Sequence, residues 1–110
     1  MSELHFLKNP FHSEAISDKK AHSFCKNLAR GRFFGEKVAI CLPLRDDDEL
    51  DLISFNEIRG PISRDASYYI VGVAKNHDDA VDTVCIIVQH IYEKTGKPKI
   101  KEYFKKEWFI

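Results

Sequence analysis

The sequence predicts an α+β domain: a two-layer sandwich in which a small, mainly antiparallel sheet of three to four strands carries two long helices and a C-terminal helix. Three observations predict it. Lys37–Leu44 and Ser67–Ala74 are short apolar runs with β-branched residues, as strands buried on both faces require. Leu50–Phe55 opens on the alternation Leu50-Asp51-Leu52. Residues 13–30 and 77–95 repeat apolar side chains at helical spacing. The 110 residues suit one domain (1–110), and no repeat, low-complexity tract or linker divides them.

Residues 3–8 read as a short strand ended by Asn9-Pro10. Ser13 is placed to cap a first helix, Glu14 meets the dipole of its first turn, and Gly31 suits a left-handed cap at its end. Ala21, Phe24, Cys25 and Leu28 form its apolar stripe. The runs at 37–43 and 50–55, joined by a short charged loop, make a hairpin, and Pro43 marks a strand end because it cannot donate to a ladder. Gly60-Pro61 signals a turn. Ser67–Ala74 (SYYIVGVA) is the strongest strand, and its Gly72 permits a bulge or a helix's close approach. Asn76 or Asp78 caps the second long helix, which Gly96 and Pro98 end. Ile86 and Ile87 widen its apolar stripe beyond what one sheet face needs. In the tail, Ile100, Tyr103, Phe104 and Trp108 share a face if the chain is helical from Pro98. Two doubly buried strand runs leave an α/β fold with a partly parallel sheet as the alternative.

Composition excludes several classes. The apolar share is 44% and the charged share 31%, which argues against a disordered or collagenous chain. No run approaches a membrane span. Lys+Arg 17 balances Asp+Glu 17, so there is no general attraction to polyanions. The balance conceals basic ends and an acidic middle. Cys25, Cys41 and Cys85 are odd in number, scattered, and set among apolar residues, so they read as small buried side chains in a reducing compartment, not as a disulfide framework. The N-terminus lacks the basic start and apolar length of a signal peptide, which makes the cytoplasm the expected location.

No motif of high chemical specificity occurs, and the reading names no catalytic residue, metal ligand or cofactor. Asp18, His22 and Cys25 share a helix face, but paired Cys/His spacings are lacking, and Cys25 belongs to the core stripe. The acidic run Asp46–Asp48 fails the EF-hand pattern at Leu50 and Asp51 and suits a solvated hairpin tip. His77 and His90 point away from each other around one helix. Gly31–Gly35, with Arg32, Phe33 and Phe34 between the glycines, lacks the Lys-Ser/Thr of a phosphate loop and reads as a helix-to-strand connection.

Two surfaces stand out. Lys97, Lys99, Lys101, Lys105 and Lys106 are interleaved with Tyr103, Phe104, Trp108 and Phe109. Such a tail docks on its own domain, on a partner, or on single-stranded nucleic acid, where bases stack on rings and lysines meet phosphate. The acidic middle counts against nucleic acid. The expected role is therefore non-enzymatic, acting through protein contacts or as a homodimer, with Ile86, Ile87, Tyr103, Phe104, Trp108 and Phe109 as the interface. The alternatives are nucleic-acid binding by the tail and a small-molecule or enzymatic site at Arg32, Lys75, Asn76 and His77. No membrane partner is expected.

Overall fold

A strand whose two faces are both apolar needs cover on both sides, and Ser67–Ala74 is that strand. In a computed structural model describing residues 3–32, 35–43, 49–59 and 67–110, it forms the interior of a four-stranded sheet. The elements are β1 (Glu3–Phe11), α1 (Asp18–Arg30), β2 (Val38–Cys41), β3 (Asp51–Ser54), α2 (Phe55–Arg59), β4 (Ser67–Ala74), α3 (His77–Thr95) and α4 (Ile100–Tyr103). A 3₁₀ turn at Lys106–Trp108 precedes the C-terminus. The sheet order is β1-β4-β2-β3. β2 pairs antiparallel with both β3 and β4, and β1 pairs parallel with β4.

The α+β class, the four strands and the β2–β3 hairpin agree with the sequence reading. The sheet is mixed, and its layers number three where two were expected. Alternation along β2 shows why. Ala39 and Cys41 pack with Ala21, Phe24 and Leu28 of α1 and with Phe55 and Ile58 of α2. Ile40, between them, packs with Ile87 and Ile91 of α3. One helical layer therefore covers each face. Ile87 is fully buried beneath α3, so it belongs to the core and not to an exposed interface.

Local chemistry sets the helix ends. Ser17, not Ser13, caps α1: its side chain accepts from the Lys20 N–H at 3.1 Å, and Asp18 occupies the first turn. Ser13 is held elsewhere, by Asp79. Gly31, at φ 70°, closes α1, and Gly96, at φ 74°, closes α3. Asn76 caps α3 by accepting the Asp79 N–H at 2.8 Å. β1 runs on through Pro10, past the stop that Asn9-Pro10 implied. It is an edge strand, where a missing N–H costs little. The expected C-terminal helix is one turn, α4. So short a helix has little stability of its own, and Phe104 leaves it in extended conformation. Phe33, Phe34, Asp46–Asp48 and the Gly60-Pro61 turn lie outside the described residues. Among the described residues no helix is long and apolar enough to cross a membrane.

Gly72 is the tightest point of the core. The β2–β4 register shifts between Ile40 and Cys41, which turns both Val71 and Gly72 toward α3. A Cβ at Gly72 would lie 3.0 Å from the Phe11 carbonyl oxygen, 3.3 Å from Ile40 Cδ1 and 3.4 Å from Ile87 Cδ1. The first neighbour is backbone and cannot rotate away. Gly72→Ala is therefore expected to lower stability. Overpacking costs about 1–3 kcal/mol, offset in part by the roughly 0.5–1 kcal/mol of chain entropy that alanine saves. Urea unfolding of the two proteins measures the difference, and an equally or more stable variant would contradict the packing described.

Candidate functional site

After Gly96 the chain has left α3 and must return across the sheet. Ile100 and Phe104 anchor it, both buried beside Leu7, Ile87 and Ile91. The segment ends on the free edge of β1. Phe109 forms an antiparallel bridge with Leu7, and the Ile110 N–H donates to the Phe6 carbonyl at 2.8 Å. The tail thus docks on its own sheet.

Two aromatic doublets, Tyr103-Phe104 and Trp108-Phe109, cross a surface already filled by Leu7 and Phe11. Phe104 takes the buried place, and Tyr103, Trp108 and Phe109 remain half-buried. Their rings meet edge to face. Tyr103 and Trp108 lie 5.3 Å apart at 73°, Phe104 and Trp108 6.3 Å apart at 81°, and Phe11 and Phe104 6.3 Å apart at 87°. Such pairs hold each other in place. His90 of α3 fixes the outer ring, its Nε2 lying 3.0 Å from the Tyr103 hydroxyl.

Phe11, Tyr103, Phe104 and Trp108 line a crevice of about 350 Å3, together with Leu7, Lys8, Asn9 and Glu107. A second crevice of about 200 Å3 adjoins it through the shared Phe104 and is lined by Leu42, Pro43, Tyr69, Lys101, Lys106 and Phe109. The charged residues in the walls of the two crevices are Lys8, Lys101, Lys106 and Glu107. Apolar walls with a few charged groups at the rim are the ordinary form of a ligand pocket.

The residues expected at an interface fall into two groups. Tyr103, Phe104, Trp108 and Phe109 gather in the aromatic cluster. Ile86 is 39% exposed on the solvent side of α3, whereas Ile87 points into the core. The second expected site is less concentrated. The Arg32 N–H donates to Asn27 at 2.8 Å and completes the α1 cap. The Lys75 N–H donates to Asp79 Oδ2 at 3.0 Å, and Asn76 is spent as the α3 cap. His77 lines a depression of about 410 Å3 with Gly35, Glu36, Val38, Leu52, Ser54, Asn56 and Glu57. Arg32, Lys75 and Asn76 are not among its walls.

Sequence reasoning missed the buried carboxylate of Asp79. It accepts from the Ser13 hydroxyl and from the Lys75 N–H, and so clasps the β1–α1 turn to the β4–α3 turn. Its one sequence signal is the capping-box spacing, three residues after Asn76. A hydroxyl paired to a carboxylate is a joint here. The neighbouring His12 ring turns away from it, Nδ1 toward the Ser13 carbonyl at 2.8 Å and Nε2 toward Asp18. Among the thiols, burial pushes Cys25 up to about 12. Burial, and next the Asp51 carboxylate, also raise Cys41. Neither is a thiolate at neutral pH. Among the described residues no group of three or more His, Cys, Asp or Glu side chains is arranged to hold a metal. No protein-family model matches this chain, and neither a curated protein nor a solved structure is significantly similar to it.

The His12–Asp18 pair makes stability depend on pH. Partial burial opposes charge on His12, but the Asp18 carboxylate and the Ser13 and Ile16 backbone outweigh it and raise the imidazole above its ordinary value. The hydrogen bond from His12, then its charge, lowers Asp18. A raised histidine stabilises fully below its unfolded value and ceases to do so as pH rises through the folded one. A lowered aspartate stabilises above its unfolded value and ceases to do so as pH falls through the folded one. The contribution is therefore complete between about pH 4 and 6.5. Asp18→Asn should flatten the loss of stability as pH rises above about 6.5, measured by urea unfolding at each pH. An unchanged slope would remove the pair from the account.

Proposed function

We propose that this protein is a ligand-binding domain whose site is the aromatic crevice between β1 and the C-terminal segment, and that its ligand is planar and anionic. The observation that carries the reading is the crevice itself. Tyr103 and Trp108 expose half-buried rings held by Phe104, Phe11 and His90, with Lys8 at the rim. A flat ring stacking on such a wall gains about 1–3 kcal/mol, and a lysine beside it favours phosphate or carboxylate. The reading differs from an interface made by the tail, because Ile100 and Phe104 are buried in the chain's own core and Tyr103, Trp108 and Phe109 are half-buried against it. It requires no activated nucleophile. The unpaired thiols support reading the protein as cytoplasmic.

The chain has one tryptophan, and it stands in the crevice wall. Titration with nucleoside monophosphates should therefore quench or shift Trp108 emission. Tyr103→Ala should weaken binding about tenfold, as the loss of one stacking wall implies. Lys8→Ala, a change at an exposed residue, should weaken it without altering thermal stability. Emission that does not respond to purine or pyrimidine monophosphates up to millimolar concentration would refute the reading.

A second reading, self-association, has an observation of its own. Val81, Cys85, Val88 and Tyr92 recur at 4-3-4 spacing on α3, with Val81 46% and Tyr92 58% exposed. That is the spacing of a helix-pairing seam. Asp78, Asp82 and Glu93 flank it, so two copies would repel at low salt, and association should strengthen as salt rises. Sedimentation in low and high salt measures this. Tyr92→Glu should abolish any dimer, and a monomer at all protein and salt concentrations would exclude it.

A further inference from the structure

Phe104 stands between the two crevices, and rings continue on both sides of it. Trp108 lies 6.3 Å from Phe104, Phe109 lies 6.4 Å from Phe104, and Tyr69 lies 5.2 Å beyond Phe109. His5 stacks on Tyr69 at 4.6 Å with the ring planes nearly parallel, which stiffens that end. Lysines accompany the row along its length. Lys8 lines the first crevice, Lys101 and Lys106 line the second, and Lys105 is exposed beside them.

We infer that this row is a track for single-stranded nucleic acid, with one base entering each crevice and the phosphates between them meeting Lys8, Lys105 and Lys106. The inference rests on the reading that the crevice binds a planar anionic ligand, and extends it from one nucleotide to a strand. Two adjoining crevices sharing one ring suit a ligand that repeats its planar groups. One isolated nucleotide would occupy the first crevice and leave the second empty. A duplex cannot use them, because its bases are stacked inside the helix and only unstacked bases reach a ring in a cleft. Asn9 and Glu107 are the uncharged amide and the acid in the first crevice, and neither pattern reads one base against another, so recognition is by stacking and charge. Glu36, Glu57 and His77 gather at the Val38–Ala74 end of the sheet, away from the Cys41–Ile70 end where the second crevice opens. Asp51 is nearer, paired with Cys41 on the β3 side, so the nucleic acid leaves the second crevice away from β3.

The test uses the full chain and a labelled oligothymidylate of about twelve nucleotides, within the roughly 4–16 nucleotides that stacking platforms occupy. Fluorescence anisotropy at low salt measures binding, and Trp108 emission reports engagement of the crevice. The oligonucleotide should bind at least about tenfold more tightly than thymidine monophosphate, and more tightly than a duplex of the same length. The Lys105→Glu/Lys106→Glu double variant alters exposed side chains only. It should reduce the dependence of log affinity on log salt by about 1–2, while the monophosphate still quenches Trp108. Equal affinity for monophosphate and oligonucleotide would overturn the track and leave the ligand-binding reading intact. Duplex binding as tight as single-strand binding, or binding indifferent to the double reversal, would also overturn it. If neither probe affects Trp108, both readings fall.

Discussion

The fold depends on β4 being enclosed on all four sides. Its two edges are taken by β1 and β2, and its two faces by α1 and α3. Buried backbone must pair, so a strand in that position needs neighbours along both edges before any side chain is considered. Its apolar side chains then recruit one helix to each face. Gly72 sets the distance. With no Cβ there, Phe11 of β1, Ile40 of β2 and Ile87 of α3 converge on a single point. The bulge beside it gives α3 two consecutive positions, Val71 and Gly72, one to pack on and one to approach.

Placing β4 inside leaves β1 at an edge, and an unpaired edge invites pairing with other chains. Three features blunt it. The C-terminal Ile110 pairs with Phe6, the His22 Nε2 meets the Lys8 carbonyl at 3.1 Å, and Pro10 offers no donor. The first of these creates the crevices. A tail that must reach the edge carries two aromatic doublets over a surface with room to bury one ring completely. The remaining rings are held half-exposed by contact with one another. Edge protection and the candidate site are thus consequences of one docking event.

Much of this was legible locally. The strand Ser67–Ala74, the helix 77–95 and both glycine caps follow from short-range pattern, and the structure has them at those positions. What escaped was non-local. Ser13 and Ser17 are equally good caps in sequence, and only Asp79, 66 residues away from Ser13, decides between them. Nothing near residues 3–11 announces a parallel partner at 67–72 or an edge position that tolerates Pro10. Ile86 and Ile87 are neighbours on α3, and Ile87 is buried because it falls on the stripe of Ala80, Thr83 and Ile91 that faces the sheet, while Ile86 falls beside it. The tail's rings were visible as a group, but the walls supplied by Leu7, Lys8, Phe11 and Tyr69 come from two other strands, and the His90 that holds Tyr103 comes from α3. Helical periodicity across Tyr103-Phe104 misled because contact with β1 outweighs the weak propensity of one turn.

The distribution of polar contacts bears on what kind of work such a site does. Several side chains capable of acid–base or nucleophilic chemistry are engaged in joints between elements. Ser13 donates to Asp79, His12 meets Asp18, His22 meets two carbonyls, and His90 meets Tyr103. Two of the three thiols are held protonated by burial. Each joint fixes a turn or a ring, and breaking it to activate a group would loosen the element it fixes. The half-buried rings carry no such duty on their outer faces. Stacking asks only that a flat surface be held still, which the surrounding rings and the Tyr103–His90 contact accomplish, and lysine beside it asks only to remain charged. The Tyr103–His90 contact and the rings packed around it thus make the tail a rigid surface, and the Ser13–Asp79 and His12–Asp18 joints hold fixed the turn that follows β1.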